Sequence, residues 1–341
     1  MRANRRQFLQ AAGALGAAAA TGVPRSAAAA APAAAAPKKG LAKGLTLMSI
    51  RVGGEDRLAV KTEKGVLDCK AASTLLRIPA PATMDDLLQR EEGASINALV
   101  EAAMHSGTVA KAFVKEEALE YAPLVRRPEK IVCVGLNYRK HAQEVNMPIP
   151  KQPILFNKFN NALNHHNGTI KLPVEVAKKF DYEVELQVIM GKTARDVSEA
   201  EALDYVFGYA SGNDFSARDL QLRDGRAGSQ FMIGKTPDQF APLGPYLVTA
   251  DQIDPDKLKI ELRLNGETRQ SSNTSDFIFN TRQVLSYISK HITLRPGDII
   301  FTGTPEGVIQ GKPADQRVWL KPGDKIACSL EKLGELKFEL T

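Results

Sequence analysis

FDYEVELQVIMGK occupies Phe180–Lys192. Polar and apolar residues alternate in it with the period of a pleated strand, which places Tyr182, Val184, Leu186, Val188 and Met190 on one face. The other face carries Glu183 and Glu185, roughly 7 Å apart at the usual strand rise, and Asp181 stands just before them. Two carboxylates that close repel each other unless water, arginines or a cation separates them. A solvated strand face laced with ion pairs satisfies that condition. A cation site satisfies it too.

A third acid favours the cation site. YASGNDFSARD (Tyr209–Asp219) contains the polar cluster Gly212–Asn213–Asp214 inside an otherwise apolar run. Three carboxylates form a hard-oxygen donor set, which suits Mg²⁺, Mn²⁺ or Ca²⁺ better than zinc, and such sites keep positions open for water or substrate. A second constellation precedes them. VGLNYRKHAQEVNMPIP (Val134–Pro150) holds His141 and Glu144 at i and i+3, one face of a helical turn. A carboxylate there orients an imidazole and raises its basicity, making a general base. Taken alone, HxxE is common by chance.

Around the opening strand, short β-rich runs recur between Gly, Pro and Asn punctuation: KIVCVGL, PILFNKF, YVFGYASG, KIELRLNGE, DIIFTGT, KIACSL and ELKFEL. Asn265–Gly266 marks a hairpin, because Asn-Gly favours the turn with two positive φ angles. TRQVLSYISKHI (Thr281–Ile292) is the clearest helix, with apolar residues at 284, 285, 288 and 292. Upstream, residues 44–123 read as a small α+β unit, with turns at Gly53–Gly54 and Lys64–Gly65 and two short helices after an N-cap at Thr83. The fold class is therefore α+β and mostly β, a sandwich, roll or barrel with inserted helices rather than a parallel doubly wound sheet.

Other chemistries fail on their spacing. GKT occurs at Gly191 and Gly234, but the glycine a phosphate loop needs five positions earlier is Leu186 or Ser229. GxGxxG after a strand, GxSxG and HExxH are absent from the sequence. Cys69, Cys133 and Cys328 match no zinc spacing, and the last two sit in apolar runs as small core residues. His165–His166 reads as a solvated pair in an Asn-rich loop.

Residues 1–36 hold Arg2, Arg5, Arg6 and Arg25 and no acid; without them the net charge falls from +6 (45 basic against 39 acidic) to +2 (41 against 39). No basic patch with interleaved aromatics remains, so nucleic acid is not an expected partner. Arg5–Arg6 with Phe8–Leu9, a mildly apolar run and Ala-x-Ala sites together resemble a twin-arginine signal. That implies handling by the twin-arginine translocase and a periplasmic location, without a stable membrane anchor.

Six motifs occur in order: NYxxHxxE, PILFxK, DYEVEL, GNDFSARD, GKTPDQFAPLGP and TGTPEGV. Together they closely resemble the fumarylacetoacetate hydrolase family over about residues 128–341, preceded by the small N-terminal domain. The resemblance implies a β-sandwich or roll, usually homodimeric, with Glu183, Glu185 and Asp214 binding Mg²⁺ or Mn²⁺. It implies that His141 and Glu144 activate water on a closing lid, and that Lys235 polarises a substrate oxygen. Lys158, Arg218, Gln221 and Thr304 would contact a 2-oxo or 2-hydroxy carboxylic acid. The implied activity is metal-dependent hydrolysis of a C–C bond in acylpyruvate-type substrates. The alternative is an isomerase, tautomerase or decarboxylase; NMPIPKQPILFNKF and SSNTSDFIF are similar to the family's oxaloacetate tautomerase branch. A non-catalytic periplasmic binding protein on the same fold is a third reading. Asn160–Asn161, His165–His166 and Ile309 depart from the family pattern at what the resemblance makes a substrate edge.

Overall fold

Strand Val184–Met190 lies inside a 13-stranded sheet, between Val206–Asn213 and Ile299–Phe301 and antiparallel to both. The computed structural model describes residues 38–223 and 228–341. All seven residues of Val184–Met190 are buried. Both faces are therefore covered, and the solvated-face explanation of Glu183 and Glu185 does not hold.

The sheet continues through Ile131–Gly135, parallel to Ile299–Phe301, to Ile154–Lys158. On the other side, Leu247–Thr249 joins Val206–Asn213 to the N-terminal strands Thr46–Val52, Glu55–Thr62 and Gly65–Asp68. A second sheet of five strands runs Glu267–Asn273, Lys259–Leu264, Lys325–Leu330, Gly334–Leu340 and Gly168–Ile170. Its inward residues Ile260, Leu262, Ile326, Cys328, Leu336 and Phe338 share one apolar core with Leu186 and Val188. This is the mostly β, α+β fold expected, with two sheets packed as layers.

Local signals operate as the sequence indicates. Asn265 and Gly266 both take positive φ, 52° and 86°, and turn Lys259–Leu264 into Glu267–Asn273. Helix Thr281–His291 starts from a reciprocal cap between Asn280 and Gln283 and buries Val284, Leu285 and Ile288. Thr83 caps Met84–Gln89 by accepting from Asp86 N. Helix Cys69–Leu76 has no counterpart in the sequence reading. It is only eight residues long, capped by Asp68 and closed by Arg77 in the left-handed region, so its periodicity is too brief to register. All three cysteines are buried free thiols. Among the described residues no helix is long and apolar enough to cross a membrane. The twin-arginine segment, residues 1–36, lies outside the described residues.

Candidate active site

The antiparallel register assembles the acids. Val184 stands opposite Asn213 and Glu185 opposite Gly212. Glu183 and Asp214 extend that pairing by one step, with Asp214 N donating to Glu183 O at 2.8 Å. One carboxylate oxygen each from Glu183, Glu185 and Asp214 lies within 4.8 Å of the others, all three side chains being buried.

Cations neutralise part of this cluster. Lys235 Nζ donates to Glu183 Oε2 at 2.7 Å and to Asp214 Oδ2 at 2.8 Å. Arg218 donates through Nη2 to Glu183 Oε1 at 2.6 Å and through Nε to Asp181 Oδ2 at 2.9 Å. Burial alone would raise the Glu183 pKa, but the Lys235 and Arg218 charges outweigh it and hold it down to about 2. Among the described residues the Glu185 carboxylate accepts only from the Gly303 amide, 2.8 Å from Oε2. Burial, then repulsion from Asp214 and Glu183, pushes its pKa well above the carboxylate range. Gly303 sits at φ +100°, and a Cβ there would come within 2.7 Å of Asn137 Cβ, so the close approach that delivers its amide to Glu185 requires glycine.

A divalent cation fits this arrangement. Three hard oxygen donors converge, and among the described residues Glu185 forms no ion pair. Lys158 Nζ is 2.7 Å from Asp214 Oδ1 as an ion pair. The same ammonium is within hydrogen-bond reach of the carbonyls of Phe215, Lys235 and Phe240, and a carboxylate oxygen has two lone pairs, so the ion pair leaves one for a metal.

Facing the triad is the helix Arg139–Glu144. His141 Nδ1 lies 3.0 Å from Glu144 Oε2, and Glu144 Oε1 accepts from Gly307 N at 2.8 Å. With Nδ1 engaged, Nε2 is the nitrogen available to a ligand. A Cβ on Gly311 would come within 2.3 Å of the Glu144 carboxyl carbon, so that glycine makes room for the dyad. Asn137, fully buried, anchors the helix entry by donating to Thr302 O and Phe279 O.

Nine of the ten residues singled out from the sequence line one cavity of about 480 Å³: His141, Glu144, Glu183, Glu185, Asp214, Arg218, Gln221, Lys235 and Thr304. Its remaining walls include Met147, Ile154, Phe156, Phe231 and Val308. Lys158 is the exception, and its expected substrate contact is corrected: its ammonium is fully buried behind Asp214 and held by three carbonyls. The Thr304 hydroxyl is also committed within the protein, donating to Val184 O and accepting from Gln270 Nε2. Asn160–Asn161 and His165–His166 do not line this cavity. Asn160 and Asn161 bind Pro128 O, Thr236 O and Asp238. His166 is half-buried rather than solvated, accepts from Lys337 N, and has a pKa lowered to about 4 by burial.

Asp181 carries a role that the sequence left unassigned. Its buried carboxylate accepts from Ile309 N, Gln310 N and Arg218, tying the segment after TGTPEGV to the triad strand. Gln270 bridges in the same way from the second sheet, accepting from Val184 N and donating to Thr304 and Pro305. The visible signal for Asp181 was its place in the DYEVEL run; Gln270 had none.

A family model described as "Fumarylacetoacetate (FAA) hydrolase C-terminal" matches residues 130–341. The chain belongs to the fumarylacetoacetate hydrolase family. Among curated relatives in this family, the mitochondrial oxaloacetate tautomerase FAHD2A of Bos taurus is 43% identical over 272 residues, spanning 79% of this chain and 82% of that protein. Among solved structures, a putative HpcE protein from Mycobacterium smegmatis is 34% identical with a TM-score of 0.72, covering 87% of this chain and 99% of its own. Maleylpyruvate hydrolase from Sphingobium sp. SYK-6, solved in complex with manganese (II) ion and pyruvate, is 29% identical with a TM-score of 0.68 over 87% of this chain and 98% of its own. The comparison also corrects the expected periplasmic location. The bovine family member is mitochondrial, and the segment that suggested export lies outside the described residues.

Proposed function

We propose that this chain is a divalent-metal-dependent tautomerase of a short 2-oxo dicarboxylic acid, of the oxaloacetate type. The observation that carries the proposal is the location of the His141–Glu144 pair and the carboxylate triad on one cavity. The 43% identity to an oxaloacetate tautomerase supports the choice of reaction. Glu183, Glu185 and Asp214 would hold the metal, and a metal bound there supplies Lewis-acid polarisation of the 2-oxo acid's oxygens.

Keto–enol exchange moves one proton between carbon and oxygen. His141 Nε2 takes the proton from the carbon next to the carbonyl and hands it to the enolate oxygen, and the enol-to-keto direction runs the same transfer in reverse. Glu144, fixed by the Gly307 amide, keeps the ring oriented and stabilises the imidazolium that forms. Asp214 and Glu183 outweigh the effect of burial on Lys235, raising its pKa and keeping it an ammonium. It therefore donates toward the enolate oxygen as negative charge develops there. Phe156, Phe231 and Met147 limit water around these groups.

A second reading is hydrolytic C–C cleavage of an acylpyruvate, favoured by the Glu144-oriented His141, which suits activation of a water. In that reaction His141 takes the water proton, the oxygen adds to the distal carbonyl, and the C–C bond breaks to an enolate facing Lys235. The Mn²⁺-loaded protein incubated with oxaloacetate and with acetylpyruvate separates the two. Loss of enol absorbance from oxaloacetate without cleavage products supports the tautomerase. Pyruvate and acetate from acetylpyruvate would replace it with the hydrolase. Loss of the tautomerase rate in His141→Ala is expected; full rate in that variant would remove the proton-transfer role.

A further inference from the structure

We infer that Arg317 is the specificity residue of this cavity, binding the second carboxylate of a dicarboxylate substrate. The inference deepens the dicarboxylate reading above and rests on it.

Arg317 lines the same cavity as the triad. The other two fixed cations there are already committed: Lys235 to Glu183 and Asp214, and Arg218 to Asp181, Glu183 and Gln221. Arg317 Nε donates to Lys312 O at 2.8 Å, and no carboxylate of the described residues lies within ion-pair distance of its guanidinium. Its two terminal nitrogens are left as a planar fork, the geometry that takes a carboxylate through two parallel hydrogen bonds.

The loop bearing Arg317 is tied to the site at both ends. Ile309 N and Gln310 N donate to Asp181, and Leu320 N donates to Phe180 O. Residues 311–319 thus leave from Asp181 and return to Phe180, just ahead of Glu183 in the chain, and Gly311 in the same loop packs on Glu144. The cavity that Arg317 shares with the triad has apolar wall residues in Val308, Met147 and Phe231. A remote carboxylate entering there without a cation would be poorly solvated. A 2-oxo acid with its first carboxylate at the triad therefore has one anchor for a second anion, and a monocarboxylate leaves it unused.

The test is calorimetric binding of 2-oxoglutarate and 2-oxopentanoate to the Mn²⁺-loaded protein. The two ligands match in chain length and differ in the terminal carboxylate. The wild type is expected to bind the diacid roughly 10- to 100-fold more tightly, the scale of one charged hydrogen-bonded contact. Arg317→Gln should erase that gap while leaving 2-oxopentanoate affinity unchanged, and Arg317→Lys should restore part of it. If Arg317→Gln does not fold, Arg317→Lys alone still reads the loss of the fork as a narrowed gap. Equal affinities in the wild type, or a preference for the diacid that survives substitution, would overturn the assignment. Tautomerisation of oxaloacetate is scored separately. A protein that prefers diacids through Arg317 yet does not tautomerise would keep this inference and lose the proposed reaction.

Discussion

Two strands of this molecule carry the same written pattern and meet opposite fates. In Gly334–Leu340, GELKFEL, Leu336, Phe338 and Leu340 are buried while Lys337 and Glu339 are exposed and Glu335 is half-buried. In YEVELQV, at 182–188, the alternation is just as clean, yet Glu183 and Glu185 are buried along with the apolar residues. The first strand, paired on both sides by Lys325–Leu330 and Gly168–Ile170, turns one face to the core and the other to solvent, where charge costs little. The second has neighbours on both faces, where an ionised carboxylate survives only with partners. Glu183 has two, Arg218 and Lys235. Glu185 has none among the described residues except a backbone amide. The difference teaches that alternation reports which residues share a face; the partners supplied from elsewhere in the chain decide what that face is for.

The strongest way to break the comparison is to remove a carboxylate at the triad. Asp214→Ala should lower turnover by more than about a thousandfold, since metal Lewis acidity is worth several kcal/mol; steady-state rates with added Mn²⁺ read this directly. Glu183→Gln should destabilise the metal-free fold by about 3 kcal/mol, the low end for a broken buried ion pair, because Arg218 and Lys235 each lose one carboxylate partner while keeping Asp181 and Asp214; urea unfolding measures it. Glu185→Gln sharpens the contrast within the pair. With no cation partner to strand, the metal-free protein should hold or gain stability in the same unfolding experiment while its metal affinity collapses. Leu186→Ala, on the apolar side of the same strand, should cost about 2–5 kcal/mol through the cavity it leaves. Glu339→Gln, the exposed counterpart, should stay within about 0.5 kcal/mol of wild type with unchanged turnover.

Much of this was legible because it is local. The Asn265–Gly266 turn, the Thr83 cap, the Thr281–His291 helix and the i, i+3 spacing of His141 and Glu144 depend on residues a few positions apart. The triad was legible through ordered motifs, although Asp214 is brought to Glu183 by strand register rather than by proximity in sequence. What stayed hidden depends on long-range contacts. Lys158 stands in a lysine position that suggested substrate, and only the fold reveals the three carbonyls that hold it behind Asp214. Gln270 lies on a strand of another sheet, 86 positions from the Val184 amide it accepts from. Arg317 sits in a loop with no motif of its own, and its proposed role rests on its forming no ion pair among the described residues.

The central claim is that the buried carboxylates at 183, 185 and 214 exist to hold a divalent cation. Calorimetric titration of Mn²⁺ into metal-free wild type, Glu185→Gln and Glu339→Gln tests it most directly. The account predicts a single saturable site in wild type and in Glu339→Gln, and none in Glu185→Gln. Undiminished Mn²⁺ affinity in Glu185→Gln, or no binding in wild type, would contradict it.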